Sequence, residues 1–382
     1  MSDSPIYLDN NATTAVAPEC IQAMTECLQQ HYGNPSSKHR IGEAAKTQTL
    51  TARAQIASLI GATPPEIVFT SGGTESIHQA ILGGLALAAG KRRVVTSQVE
   101  HPATLMLLKH LEAQGVEVVY LTVDGQGQLD LNQLAQAVTP DTALLTLMWA
   151  NNETGVVFPI EEAAVLASAN GVLFHCDAVQ AVGKTPVDLR QLPLDFLSLS
   201  GHKLHAPKGI GALFVRKGRK LPPLLFGHQE RGRRGSTENV PAIAALGVAA
   251  ELAATALAGQ QAHVEVLRNR LESSLLAQLP EASVNGGKAR RLAGTSSLCL
   301  GGIEAEMVLD QLDRAGICAS AGAACSASGT EPSHVLLAMG LGAEAALSTV
   351  RFSLSRYTTE TEIERVVSVL PGMVRTLQAE TA

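Results

Sequence analysis

The feature that most limits what this chain can fold into is an alternation. Short runs rich in β-branched and apolar residues lie at 67–70, 93–97, 116–123, 143–148, 172–176, 196–199 and 211–215. Between several of them run longer Ala- and Leu-rich stretches with helical periodicity, at 75–89, 103–114, 131–138 and 160–169. Parallel strands cannot be joined by a tight turn, so each needs a long crossover, and a helix is the usual one. Seven runs spaced in this way predict a mostly parallel seven-stranded sheet with helices on both faces, an α/β fold. No fixed period recurs, which excludes solenoids and propellers.

After residue 215 the rhythm changes. Helical patterns at 240–258 and 261–278 precede a loop at 280–287. A shorter α+β mixture follows, with strands at 295–300 and 350–354 and helices at 304–315 and 359–370. The expected organisation is a large α/β domain over 16–257 and a smaller α+β domain built from 1–15 and 258–382. The first apolar residues, Ile6 to Asp9, are expected to return to the small domain or to the site.

Composition bounds the partners. With 382 residues, 46% hydrophobic and 17% charged, the chain can bury a large core, and disorder is excluded as its overall state. Lys plus Arg (29) against Asp plus Glu (35) gives a net charge of −6, and aromatics are 3%. Neither favours a nucleic-acid or anionic-membrane binder, which needs a basic footprint and, for single strands, stacking platforms. Expected partners are a small molecule, another protein, or both, with no nucleic acid and no membrane. The N-terminus shows no basic stretch followed by an apolar run. The apolar stretch 240–258 carries one charge, Glu251, but is largely Ala, and reads as a buried or interface helix. Six cysteines are scattered without CxxC spacing, which fits a reduced, cytoplasmic protein and no metal scaffold.

Four places suggest chemistry. Thr70-Ser71-Gly72-Gly73-Thr74-Glu75-Ser76 joins a strand to a helix, and glycines with free helix-start N–H groups suit a phosphate. Its spacing is neither GxGxxG nor a P-loop, and on its own it also reads as an ordinary capped turn. Ser200-Gly201-His202-Lys203 sets a lysine at a strand end among small residues, where partial desolvation would suit a carbonyl-reactive amine. Asp177 closes the strand 172–176, with Gln180 just beyond; a helix cap is its plain alternative, and a metal site with His175 and Cys176 the weaker one. Pyridoxal phosphate needs a phosphate cradle, a carboxylate for its ring nitrogen and a lysine for its aldehyde, and the three occur here in one order. Cys325 lies in Ala319-Ser320-Ala321-Gly322-Ala323-Ala324-Cys325-Ser326-Ala327-Ser328-Gly329, a stretch with no large side chain to bury a thiol. Cys20, Cys27 and Cys299 sit in apolar patterns and read as inert, and Cys318 stays open.

These residues resemble cysteine desulfurases of the NifS/IscS type, pyridoxal-phosphate enzymes with the aspartate-aminotransferase fold. The resemblance runs nearly end to end. It takes in Tyr7-Leu8-Asp9-Asn10-Asn11-Ala12-Thr13-Thr14, Glu100-His101, Asn151-Asn152-Glu153-Thr154-Gly155 and Asp177-Ala178-Val179-Gln180. Further on it includes Gln229-Glu230-Arg231-Gly232-Arg233-Arg234, Thr237-Glu238-Asn239, Glu331-Pro332-Ser333 and Arg351-Phe352-Ser353-Leu354-Ser355-Arg356. It implies that L-cysteine becomes L-alanine while its sulfur moves to Cys325 as a persulfide, for delivery to an iron–sulfur scaffold or another acceptor protein. It implies that Gly73, Thr74, Ser200 and His202 bind the cofactor phosphate, with Thr237 reaching it from the partner of a homodimer. His101 would stack on the ring and act as acid or base, Asp177 would pair with the ring nitrogen, and Gln180 would contact the ring hydroxyl. Lys203 would carry the cofactor and move the α-proton, and Asn152 and Arg351 would hold the substrate carboxylate. The resemblance leaves a selenocysteine lyase or an aminotransferase as related alternatives, and a non-catalytic sulfur-transfer adaptor as one of another class. Two departures stand out. Ala323 replaces a serine found in many relatives, and the chain runs only a short way past Leu370, so docking through a long C-terminal tail is not expected.

Overall fold

A computed structural model describes residues 5–88, 90–322 and 331–381; Cys325 and its neighbours 323–330 lie outside the described residues. The strands are β1 (Ile6–Tyr7), β2 (Ile67–Thr70), β3 (Arg93–Ser97), β4 (Glu117–Leu121), β5 (Thr142–Met148), β6 (Leu173–Asp177), β7 (Phe196–Ser200) and β8 (Gly211–Val215). Later come β9 (Ser283–Val284), β10 (Thr295–Cys299), β11 (Ile317–Cys318), β12 (Ser320–Ala321) and β13 (Thr349–Ser353). The large sheet has seven strands in the order β2-β8-β7-β6-β5-β3-β4. All its pairs are parallel except those of β8, which runs antiparallel to both β2 and β7. The link 201–210 between β7 and β8 holds only a single short turn, too little for a helical crossover, so the chain reverses there. Strands β2, β5, β6, β7 and β8 are buried along their whole length, as strands covered on both faces must be.

One apolar cluster packs this sheet, through residues such as Phe69, Leu145, Phe174 and Leu197, against Ala245, Leu246 and Ala249 of the helix Val240–Gln278. A second gathers Leu298, Val350 and Phe352 of β10 and β13 with Leu267 and Leu271 of the same helix and Ile363, Val366 and Leu370 of the helix Glu360–Thr381. The sequence pattern predicts two helices broken near Gly259; a single helix of 39 residues runs through. Nothing lies within 4 Å of the Cβ position at Gly259. A helical glycine costs only about 1 kcal/mol, less than the two packed halves contribute. By length and composition this helix could cross a membrane, yet Ala242, Ala245, Leu246, Ala249 and Ala253 are buried in the first cluster. The last helix likewise continues through Pro371, beyond the expected end at 370, because Val374 and Leu377 also pack into the second cluster.

The N-terminal residues do return. β1 pairs in parallel with β11, Ile6 opposite Ile317 and Tyr7 opposite Cys318, and the chain then passes β13, where Asp9 bridges Ser353. This brings Asn10 to Thr14 over the edge at which the parallel strands end.

Candidate active site

In a parallel sheet the strand ends point into one crevice, and the helices that follow present their N-termini to it. Asp177 is the last residue of β6, and Ser200 the last of β7. The turn Gly201–Lys203 then carries His202 and Lys203. From β2 the chain enters the helix Gly73–Leu87, whose cap residue Gly72 offers its first N–H groups no side-chain acceptor. His101 caps the helix Pro102–Glu112, its Nδ1 accepting from the Ala103 N–H at 3.1 Å. Glycines let this layer lie flat. A Cβ at Gly211, between the ends of β2 and β7, would stand 2.7 Å from Gly72 Cα, and one at Gly73 would stand 2.9 Å from Val179 Cγ2.

These ends surround a cavity of about 670 Å³. Gly73, Thr74, Ser200 and His202 lie in its wall, as do His101, Asn152 and Asp177. Gln180, Lys203 and Arg351 complete the predicted set that the structure brings together. Thr237 is exposed and does not line it, and Cys325 is outside the described residues. Gly322 and Glu331, which flank 323–330 in sequence, both line the cavity, whereas none of the five described cysteines does. Burial pushes the thiols of Cys20, Cys27, Cys176 and Cys318 up, so none of these four is an activated nucleophile.

Lys203 Nζ donates to the carbonyl of Ala12 at 2.7 Å and to that of Asn11. Asp177 is buried, and one of its oxygens accepts from the Val179 N–H at 3.0 Å. Burial raises its carboxyl to about 6, against the opposing pull of that hydrogen bond and of Lys203. Burial and the charges of Lys203 and His334 push His101 down to about 4, and burial with nearby lysines does the same to His202. Both rings are therefore neutral at neutral pH. Arg351, at 2% exposure, donates from Nη2 to Asp9 Oδ1 at 2.8 Å and from Nη1 to the Asn152 carbonyl at 3.0 Å. Its Nε is buried without a partner among the described residues. The metal reading of His175 fails on its hydrogen bonds: Nδ1 meets Thr146 Oγ1 at 2.8 Å and Nε2 meets Ser198 Oγ at 2.9 Å.

Several residues of this region received no individual role in the sequence. Lys184 Nζ bonds Asn11 Oδ1 at 3.0 Å and Gln180 Oε1 at 2.6 Å. Its signal was a lysine four residues after Gln180 inside an otherwise apolar stretch. Glu153 lines the cavity and accepts from Ser333 Oγ. His334, which also lines the cavity, bonds through Nε2 to the Glu100 carbonyl at 3.1 Å. The basic cluster 231–234 is a clamp in part: Arg234 pairs with Glu75 at 2.9 Å in the first turn of the helix Gly73–Leu87, and Arg233 Nη2 donates to the Pro65 carbonyl.

An uncapped helix start beside Ser200 and His202 for an anion, a buried carboxylate, a strand-end lysine and a neutral imidazole are together the donor set that pyridoxal phosphate requires. Fold and site thus define a pyridoxal-phosphate enzyme of the aspartate-aminotransferase kind. Residues 6–366 match the family model of the class-V aminotransferases. A cysteine desulfurase of Trichormus azollae is 52% identical over 98% of this chain and 94% of its own length. The cysteine desulfurase NifS of Azotobacter vinelandii is 49% identical over 98% and 93%. A solved NifS-like protein superposes with a TM-score of 0.91 at 36% identity, covering 98% of this chain and 100% of its own. The chain belongs to the class-V aminotransferase family, within its cysteine desulfurases.

Proposed function

We propose that this chain converts L-cysteine to L-alanine with pyridoxal 5'-phosphate and leaves the sulfur on Cys325 as a persulfide. The observation that carries the reading is the composition of one cavity wall: Lys203, Asp177, His101 and Arg351 together with Gly322 and Glu331, the flanks of the Cys325 segment. Gly73, Thr74, Ser200 and His202 would hold the phosphate, Asp177 the ring nitrogen, Gln180 the ring hydroxyl and Lys203 the aldehyde carbon. Bound there, the cofactor supplies an electron sink for the carbon bearing the substrate amine.

The chain's own groups do the rest. Asn152 and Arg351, both in the cavity wall, receive the substrate carboxylate, which fixes the rest of the molecule relative to Lys203. Lys203, held by the Asn11 and Ala12 carbonyls, takes the α-proton. His101, neutral near pH 7, accepts the proton of the substrate thiol. The Cys325 thiolate then forms a bond to the substrate sulfur as the Cβ–S bond breaks. The electron pair stays with Cβ, which takes the proton held by His101 and becomes the alanine methyl group, while Lys203 returns the α-proton to Cα.

The same reading makes the protein a cytoplasmic homodimer in which Thr237 completes the partner's phosphate site; its exposed position away from the cavity of its own chain supports this. The persulfide sulfur passes to an acceptor protein, an iron–sulfur scaffold being the expected class. Supplying L-cysteine and a thiol reductant tests the chemistry. Sulfide and alanine should appear in equal amounts; pyruvate and ammonia in place of alanine would show a different bond-breaking sequence and end the proposal.

A further inference from the structure

Asn11 is the hub of the lysine end of the cavity. Its carbonyl accepts from Lys203 Nζ and, at 2.9 Å, from Gln180 Nε2. Its side-chain Oδ1 accepts from Lys184 Nζ at 3.0 Å, and its Nδ2 donates to Thr295 Oγ1 at 2.9 Å. Lys184 also donates to Gln180 Oε1 at 2.6 Å, which settles the orientation of that amide: its oxygen faces Lys184 and its Nε2 donates to Asn11. Two lysines therefore bond one asparagine, and the second reaches the first through no carboxylate.

The surroundings of Lys184 carry the same sign. The charges acting on it are Lys203, from the turn after β7, and Arg351, from β13. His202 and His205 feel its charge in return, and Arg351 is itself paired with Asp9. From the long helix two amides bond this turn: Gln261 Nε2 donates to the Lys184 carbonyl at 3.0 Å, and Gln260 Nε2 to that of Gly183 at 3.4 Å. Among the described residues no carboxylate forms an ion pair with Lys184. An ammonium held by amide oxygens alone is poorly compensated. Desolvation and the two neighbouring cations push Lys184 down to about 7.

We propose that Lys184 is a positioning residue of this site: its ammonium fixes the Asn11 and Gln180 amides that frame Lys203, and it sets a positive charge beside the reacting amine. The proposal rests on Lys203 being the cofactor-bearing lysine. Two consequences follow. The Gln180 amide presents N–H rather than oxygen to whatever sits in the cavity, which suits an anionic ring oxygen. The charge opposes protonation of the nitrogen at Lys203 and so keeps it in the form that can accept the α-proton.

The test is a pH titration of the visible absorption of the pyridoxal-phosphate-loaded protein. In Lys184→Met the midpoint should move up by about one pH unit, a tenfold gain in proton affinity at the Lys203 nitrogen. Lys184→Gln, which keeps a polar contact to Asn11 without charge, should move it the same way, and Lys184→Arg should return it to the wild-type value. A merely structural role would lower the melting temperature and leave the midpoint in place. Midpoints of the Met and Gln variants within 0.2 unit of wild type overturn the proposal, as does an Arg variant that shifts as far as they do; should Met not fold, the Gln–Arg pair decides alone. Borohydride reduction and peptide mapping of the wild type separate this from the functional reading. Cofactor found on a lysine other than Lys203 sinks that reading, whereas cofactor on Lys203 with unmoved midpoints sinks only this one.

Discussion

Replacing Glu230 by glutamine should cost the fold about 3 kcal/mol and loosen the phosphate end of the site, because it strips the counter-charge from a buried arginine. Arg53 Nη1 and Nη2 each donate to a Glu230 oxygen at 2.7 Å, Nη1 also donates to the Ile67 carbonyl at 2.7 Å, and the guanidinium lies 4.6 Å from the Phe69 ring centre. The two side chains are only 10% and 2% exposed, and the Phe69 N–H adds a third donor to Glu230 Oε2 at 3.1 Å. Breaking such a pair from one side costs about 3–5 kcal/mol, most of it the burial of an unpaired charge. Glutamine keeps one acceptor oxygen and the same shape, which places the estimate at the low end and avoids adding strain at Glu230, whose φ is +48°. With about 2–4 °C per kcal/mol for units of this size, the melting temperature should fall by roughly 6–12 °C. Urea and thermal unfolding of the cofactor-free protein followed by circular dichroism would measure it. Arg53→Met/Glu230→Gln should lose at least about 1 kcal/mol less than the two single variants summed, since contacting charges couple. The segment that Glu230 anchors runs on to Arg234, clamped on Glu75, and to Thr237, so cofactor affinity should weaken along with stability. A Glu230→Gln protein within 0.5 kcal/mol of wild type, with additive losses in the cycle, would refute the argument.

Three further outcomes are expected. Lys203→Ala should abolish turnover, and borohydride reduction of the wild type should leave the cofactor on the Lys203 peptide; finding it on the peptide of Lys208 would move the assignment. His175 is fully buried and its ring is pushed down to about 3 by that burial, so below pH 6.5 the unfolded chain takes a proton that the folded chain refuses. Stability should therefore fall by about 2 kcal/mol between pH 7 and pH 5 from this residue, and unfolding curves of His175→Gln should show a correspondingly flatter acid limb. Sedimentation should show a dimer in which Thr237→Ala weakens phosphate retention, whereas an active, cofactor-loaded monomer would exclude a partner's contribution.

Most of the sheet was legible because five of its seven strands are buried along their whole length. Apolar runs broken only by a small hydroxyl residue, such as 143–148 and 196–199, match β5 and β7 within a residue. Asp177, Lys203 and the Gly73 turn were legible for a related reason: each is a polar or small residue where such a run stops. The helices Pro18–Gln30 and Arg40–Leu59 passed unread. They bury narrow faces made mostly of small residues, Cys20 and Cys27 in the first and Gly42, Ala45, Thr49, Ala52 and Ala57 beside Arg53 and Ile56 in the second, and small side chains give little periodic contrast with polar neighbours. The break expected at Gly259 did not form because packing on both sides of it outweighs one residue's propensity. Lys184 and His334 were missed because their roles depend on contacts between distant segments: Lys184 meets Asn11 across 173 positions, and His334 meets Glu100 across 234. Local sequence offers only the spacing of Lys184 four residues after Gln180 and carries no trace of the distant pairs.

Mass spectrometry of the holoenzyme after L-cysteine is added without reductant tests whether one thiol, Cys325, takes the sulfur. One extra sulfur should appear on the peptide containing Cys325 and none on those containing Cys20, Cys27, Cys176, Cys299 or Cys318. In Cys325→Ser the cofactor spectrum should still respond to cysteine while sulfide release drops to background. A Ser variant that desulfurises cysteine at near the wild-type rate, or an extra sulfur found on Cys318, would contradict the role of Cys325.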